Sequence, residues 1–163
     1  MTLGRFEQRI STAVGVARQQ RGESLAPGNP KRCDREGDGA LHHRDGAAAE
    51  LAFCSLAELY PSPLLRHPLR TGGPDIRLPD GRWADVKHTR YQTGNLLVPC
   101  KPSVVRETIN LYVLLVGTFP TYEFRGWIEA AYIKQLQWIE DLGKGDAWTL
   151  TQAQIHDELV VWR

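Results

Sequence analysis

The run Leu111 to Val116, LYVLLV, constrains this chain more than any other stretch. It has the length of a strand and no polar position to turn toward water. A strand of that kind lies inside a sheet covered on both faces, so the fold needs layers on either side of it. The chain has 163 residues, 42% hydrophobic and 24% charged. That suits one domain with a single core and is typical of neither disordered nor fibrous chains. No segment reaches the ~18 continuous apolar residues of a membrane span. The start, MTLGRFEQRISTAVGVARQQ, lacks the unbroken apolar stretch of a secretory signal. Cys33, Cys54 and Cys100 are unevenly spaced and make neither a disulfide framework nor a CxxC knuckle. An intracellular protein without a membrane partner is expected.

Other elements can be placed around the buried strand. In residues 1–22, Phe6, Ile10, Ala13, Val14 and Ala17 form one apolar helical stripe, which Gly22 can end. Residues 23–45 are rich in glycine and charge and read as a long loop. Asp45 is then an N-cap for AAAELAFCSLAELY, a helix that stops at Pro61. This helix is apolar nearly all round and should be buried, which leaves Glu50 out of place among Ala47, Phe53, Cys54 and Ala57. A carboxylate there requires a partner. Residues 95–100 (NLLVPC) read as a strand, TYEFRGWI as another, EAAYIKQLQWI as a helix, and 151–158 as weakly helical. The order suggests a single α/β domain, residues 1–163, around a mixed sheet. Residues 46–140 form its core and 141–163 a C-terminal extension.

The hairpin between these helices carries unexpected charge. Leu78-Pro79-Asp80-Gly81-Arg82 fits a three-residue loop with a left-handed glycine bulge, so Ile76 faces Ala84 and Asp75 faces Asp85. Side-chain alternation groups Asp75, Arg77, Trp83, Asp85 and Lys87 on one face and Ile76, Leu78, Ala84, Val86 and His88 on the other. Opposed Cβ atoms lie about 4.5–5.5 Å apart, so the two acids repel unless a cation compensates them. Their hard oxygens suit Mg²⁺ or Mn²⁺, with Lys87 as an adjacent ammonium. The simpler reading is a surface hairpin whose acids pair with Arg77 and Lys87. The misplaced Glu50 favours the metal, which would resolve both anomalies at once. Cys33, His42 and His43 match no zinc-ligand spacing. His88 falls on the face opposite Lys87, and Cys54 reads as a small core residue.

Charge is unevenly spread. From Ser62 to Arg106, Arg66, Arg70, Arg77, Arg82, Lys87, Arg90, Lys101 and Arg106 stand against only Asp75, Asp80 and Asp85, whereas Glu107 to Arg163 has four basic against eight acidic residues. A basic face could hold phosphates, although a solvated surface of ordinary kind has the same composition.

Glu50 on a helix, then Pro74-Asp75, then Asp85-Val86-Lys87, resembles the PD-(D/E)XK nuclease superfamily in its resolvase-like and repair-type arrangement. The likeness covers roughly Asp45 to Leu136. It implies a restriction-endonuclease-like fold, a mixed central β-sheet flanked by helices with an αβββαβ core. It also implies a Mg²⁺- or Mn²⁺-dependent DNA endonuclease, or a catalytically silent nucleic-acid-binding or assembly protein of the same fold. Asp75, Asp85 and the Val86 carbonyl would hold the metal, Glu50 would act through a bound water, and Lys87 would orient the attacking water. Arg77, Arg82, Arg90 and Lys101 would grip DNA phosphates, with Tyr91 and Gln92 close to the substrate. Enzymes that cut both strands often work as homodimers, and the N-terminal helix offers an interface; the residues leave this open.

Overall fold

The computed structural model describes residues 1–25, 39–59, 74–100, 108–133, 139–141, 143 and 145–159. Its elements are α1 (Arg5–Leu25), α2 (Gly39–Leu56), β1 (Ile76–Arg77), β2 (Trp83–Thr89), β3 (Leu96–Pro99), β4 (Leu111–Thr118), β5 (Thr121–Glu129), α3 (Ala130–Ile133), β6 (Ile139–Asp141) and β7 (Asp146–Leu150). A 3₁₀ turn, Gln152–Gln154, follows.

The apolar run is β4, and it is covered on both faces as expected. Leu111, Val113 and Leu115 join Ile76, Ala84 and the helices in one apolar cluster. Tyr112 and Leu114 join Leu96, Val98, Trp148 and Leu150 in a second cluster. β4 lies within a four-stranded sheet of order β1-β2-β4-β5. There β2 and β4 run parallel, while β1 and β5 are antiparallel to their neighbours. A three-stranded antiparallel sheet, β3-β7-β6, packs through the second cluster. The protein is therefore mixed α/β, with helices on one side of a mixed sheet and a smaller sheet on the other.

The hairpin takes the expected register, with Ile76 opposite Ala84 and Arg77 opposite Trp83. The Leu78 N–H donates to the Arg82 carbonyl at 2.8 Å, and Gly81 sits at φ 87°, where a side chain would be strained.

Several boundaries differ from the sequence reading. α1 continues past Gly22 to Leu25. Its buried face carries Ser11, Val14 and Gly15, whereas Phe6 is 61% exposed and Ala13 is exposed as well. α1 packs closely on α2, whose Ala47, Ala48, Ala49 and Ala52 are all buried, and small buried residues on both helices favour such close approach. α2 begins at Gly39, so residues 39–45 are helical and Asp45 is an interior residue paired with Arg44, not an N-cap. That helix ends by Leu56. Glu58 takes a left-handed φ of 56°, and the Leu59 N–H returns to the Cys54 carbonyl at 2.7 Å. The expected stop at Pro61 lies outside the described residues. Within the stretch EAAYIKQLQWI, Ala130–Ile133 is helical and residues 134–138 lie outside the described residues, while Ile139 belongs to β6, where pairing with β7 overrides local helix preference. In the C-terminal part of the chain, β7 is the central strand of its sheet, and Trp148, Leu150 and Ile155 join the second cluster, so residues 146–155 are integral to the core.

Candidate carboxylate site

β1 is only two residues long, so it leaves most of β2 without a partner on that side. Asp75 fills part of the gap. Its N–H donates to the Ala84 carbonyl at 2.9 Å, a departure from the regular register that would set Asp75 squarely opposite Asp85, and its Oδ2 accepts the Val86 N–H at 2.7 Å. A backbone N–H of a strand lies in the plane of the sheet, so the Asp75 carboxylate sits at the sheet edge rather than standing out from one face. The N–H and C=O of a strand residue point the same way, so the Val86 carbonyl opens toward that edge too. The edge thus gathers two kinds of hard oxygen.

Asp85, two residues from Lys87 on β2, is 7% exposed and forms an ion pair through Oδ2 with the Lys87 Nζ. That oxygen is buried and receives no aligned hydrogen bond. Asp85 lies beside Tyr112 of β4 in the parallel register. Burial, together with the Asp85 charge, pushes the Tyr112 hydroxyl up to about 12.

Glu50 is 6% exposed, as the apolar helix around it demands. Its partner is Arg18 of α1, whose Nη1 and Nη2 donate to Oε1 and Oε2 at 2.8 and 2.9 Å. Glu50 and Asp85 both bear electrostatically on Asp75. Burial pushes the Asp75 carboxyl well above its usual range; the Glu50 and Asp85 charges add to this, while the Val86 N–H and Lys87 oppose it. By surface area Asp75 is only half-buried. Its surroundings are nevertheless dense in protein atoms, and that density governs how hard it is to ionise. The structure therefore brings Glu50, Asp75, Asp85 and Lys87 into one electrostatic neighbourhood. Among the described residues, no three acidic, histidine or cysteine side chains converge to metal-holding distance in this arrangement. Glu50 meets Arg18 instead.

The basic residues are more dispersed. Arg77 is exposed on β1, with its guanidinium 6.0 Å from the Trp83 ring centroid. Arg82, in the turn, pairs with Asp80 at 2.8 Å. Arg90 is exposed at the far end of β2, followed by Tyr91 at 69% exposure and by Gln92, which accepts from Arg125 at 2.7 Å. Lys101 and Cys33 lie outside the described residues. Cys54 is buried in the helix-side cluster. His88 lies 6.1 Å from His42 and 6.2 Å from Tyr122, ring centre to ring centre, and burial together with the His42 charge lowers its pKa. No helix among the described residues is long and apolar enough to cross a membrane.

Arg18 is the site residue that sequence reading missed. Its signal was present: Arg18 lies four residues from Val14 and seven from Ser11, on the face that α1 buries. A cation on a buried helical face and an anion on an apolar helix are natural partners. Compared with known proteins, the chain matches no family model, no curated protein and no solved structure, so the chemistry of this edge alone carries the functional argument.

Proposed function

We propose that the protein is a divalent-metal-dependent DNA endonuclease with a restriction-endonuclease-like fold. The observation that carries this reading is the grouping of Glu50, Asp75 and Asp85 in one neighbourhood, where burial first and the two neighbouring charges second keep Asp75 reluctant to ionise. Carboxylates that burden one another electrostatically in a poorly solvated setting are costly unless cations compensate them. The donor set fits Mg²⁺ or Mn²⁺: carboxylate oxygens, the Val86 carbonyl at the same edge, and the buried Asp85 Oδ2, whose ion-pair partner is the Lys87 ammonium. Asp75, Asp85 and the Val86 carbonyl would hold the ion directly, and Glu50 through water. When bound, such an ion stabilises negative charge on a phosphodiester in transition and makes a coordinated water more acidic.

The remaining work belongs to the chain's own residues. Lys87 places an ammonium beside Asp85, where it can orient the attacking water and balance charge developing on the phosphate. Arg77, Arg82 and Arg90, spread along the hairpin, give affinity for the DNA backbone without selecting sequence. Lys101 is proposed for the same role from its place in the sequence.

The test is incubation of labelled duplex, nicked, branched and single-stranded DNA with Mg²⁺ or Mn²⁺. Cleavage by the native chain, and its loss in Asp85→Ala and Lys87→Ala with unchanged circular dichroism, is the expected result. Full cleavage by either variant rules the assignment out. A second reading, a silent nucleic-acid-binding or assembly protein, draws on the pairing of Glu50 with Arg18 and Asp85 with Lys87, which satisfies part of the cluster internally. Such a protein keeps its DNA affinity in chelator and cuts nothing.

A further inference from the structure

We infer that Arg18 is the resident counter-ion of the carboxylate site, and that a divalent cation displaces it from Glu50. This deepens the nuclease reading and rests on it. The contact is a planar fork, both guanidinium nitrogens on both carboxylate oxygens at 2.8 and 2.9 Å, so both Glu50 oxygens are engaged. Arg18 is also close enough to Asp75 to feel its charge.

The charges decide what an incoming ion does. Glu50, Asp75 and Asp85 face one guanidinium and one ammonium, Arg18 and Lys87. With all three acids ionised, the cluster carries one negative charge in excess. A divalent ion would reverse that excess, and like charges at this density repel strongly. Lys87 is tied to the same strand as Asp85, whereas Arg18 reaches in from another helix on a long side chain that is 26% exposed. Arg18 is therefore the cation that turns outward. Its role is positional: it holds Glu50 in place and neutral in sum until the metal arrives.

The experiment is a calorimetric titration of the full chain with Mn²⁺ in wild type, Arg18→Gln, Arg18→Lys and Asp85→Asn. A second measurement follows the Arg18 side-chain Nε–H signal by NMR as Mg²⁺ is added. Removing the competing charge in Arg18→Gln should tighten Mn²⁺ binding on the order of tenfold, Arg18→Lys should fall between it and wild type, and the Arg18 signal should shift at Mg²⁺ saturation. A purely structural arginine would leave affinity the same or weaken it. Unchanged or weaker binding in folded Arg18→Gln, or an Arg18 signal that stays in place, overturns the inference while Asp85-dependent Mn²⁺ binding in wild type leaves the nuclease reading intact. Absence of Asp85-dependent binding in wild type defeats both. Should Arg18→Gln not fold, Arg18→Lys and the NMR signal decide: binding in folded Arg18→Lys no tighter than wild type overturns the inference.

Discussion

The hairpin edge and the three-stranded sheet meet similar packing demands with different chemistry. Around β3, β7 and β6 the interior is Leu96, Val98, Leu150, Trp148 and their neighbours, and the polar atoms left without partners there, Trp148 Nε1 and Thr149 Oγ1, are neutral. Such atoms cost about 1–3 kcal/mol each. Around the hairpin the molecule instead buries Asp85, and it buries Glu50 on the neighbouring helix α2, within electrostatic reach of Asp75. Charge costs more to bury than a hydroxyl or an indole N–H. The fold accepts this cost around the hairpin and avoids it in its other sheet, and that contrast is what the proposed nuclease site would explain.

The largest effects should separate these two regions. Lys87→Ala and Asp85→Ala are expected to lower metal-dependent DNA cleavage by about 10²–10³-fold or more, the scale seen when a preorganised charge is removed. Asp85→Ala, which removes the buried charge itself, should unfold near the native chain, whereas Lys87→Ala leaves Asp85 buried without its ammonium and should lose stability as well. Leu150→Ala, in the centre of the second sheet and fully buried, should do the reverse. It should cost about 2–5 kcal/mol in urea unfolding while leaving cleavage per folded molecule unchanged. Loss of cleavage in folded Leu150→Ala would break the division between the two regions.

Arg18→Ala tests the boundary between structure and site. It leaves Glu50 buried beside α1 without its fork, and removing one partner of a buried pair costs about 3–5 kcal/mol. Because Arg18 is partly exposed, the lower end of that range is expected, read from the urea midpoint. The double change Arg18→Met with Glu50→Leu should recover most of the stability and none of the cleavage. Cleavage in that double variant would remove Glu50 from the site.

What the sequence disclosed, and what it hid, follows the range of the forces involved. The turn chemistry of Pro79, Asp80 and Gly81 is local, so the register that sets Ile76 opposite Ala84 and Arg77 opposite Trp83 could be read in advance. The apolar run of β4 announced its two covered faces for the same reason. Glu50 was recognisable as anomalous because every helical neighbour is apolar. Its partner was not, since choosing the face of α1 that meets α2 depends on which small residues allow close approach, a property of two helices together. The strand at Asp146–Leu150 was hidden likewise, because its pairing with Leu96–Pro99 closes across a long stretch of chain. The edge position of Asp75 depended on β1 being short, which alternation does not reveal.

The smallest expected effect is also the most direct probe of the cluster. Asp75→Asn keeps an oxygen to accept the Val86 N–H but cannot ionise. The Asp75 carboxyl is raised in the fold from an ordinary value of 3.8. Below that pH it is protonated in folded and unfolded chains alike, and its burial costs nothing electrostatically. As pH rises through the folded value, the unfolded chain has already released its proton while the native chain still resists, so native stability falls. The asparagine variant escapes this loss. Its melting temperature should match the native chain near pH 3 and exceed it modestly at neutral pH. Mg²⁺ should then raise the neutral-pH melting temperature of the native chain and leave that of Asp75→Asn nearly unmoved, because only the ionised carboxylate gains from the ion. Equal melting curves for both proteins across the whole range would mean that Asp75 ionises freely, and the charge argument for this edge would fail with it.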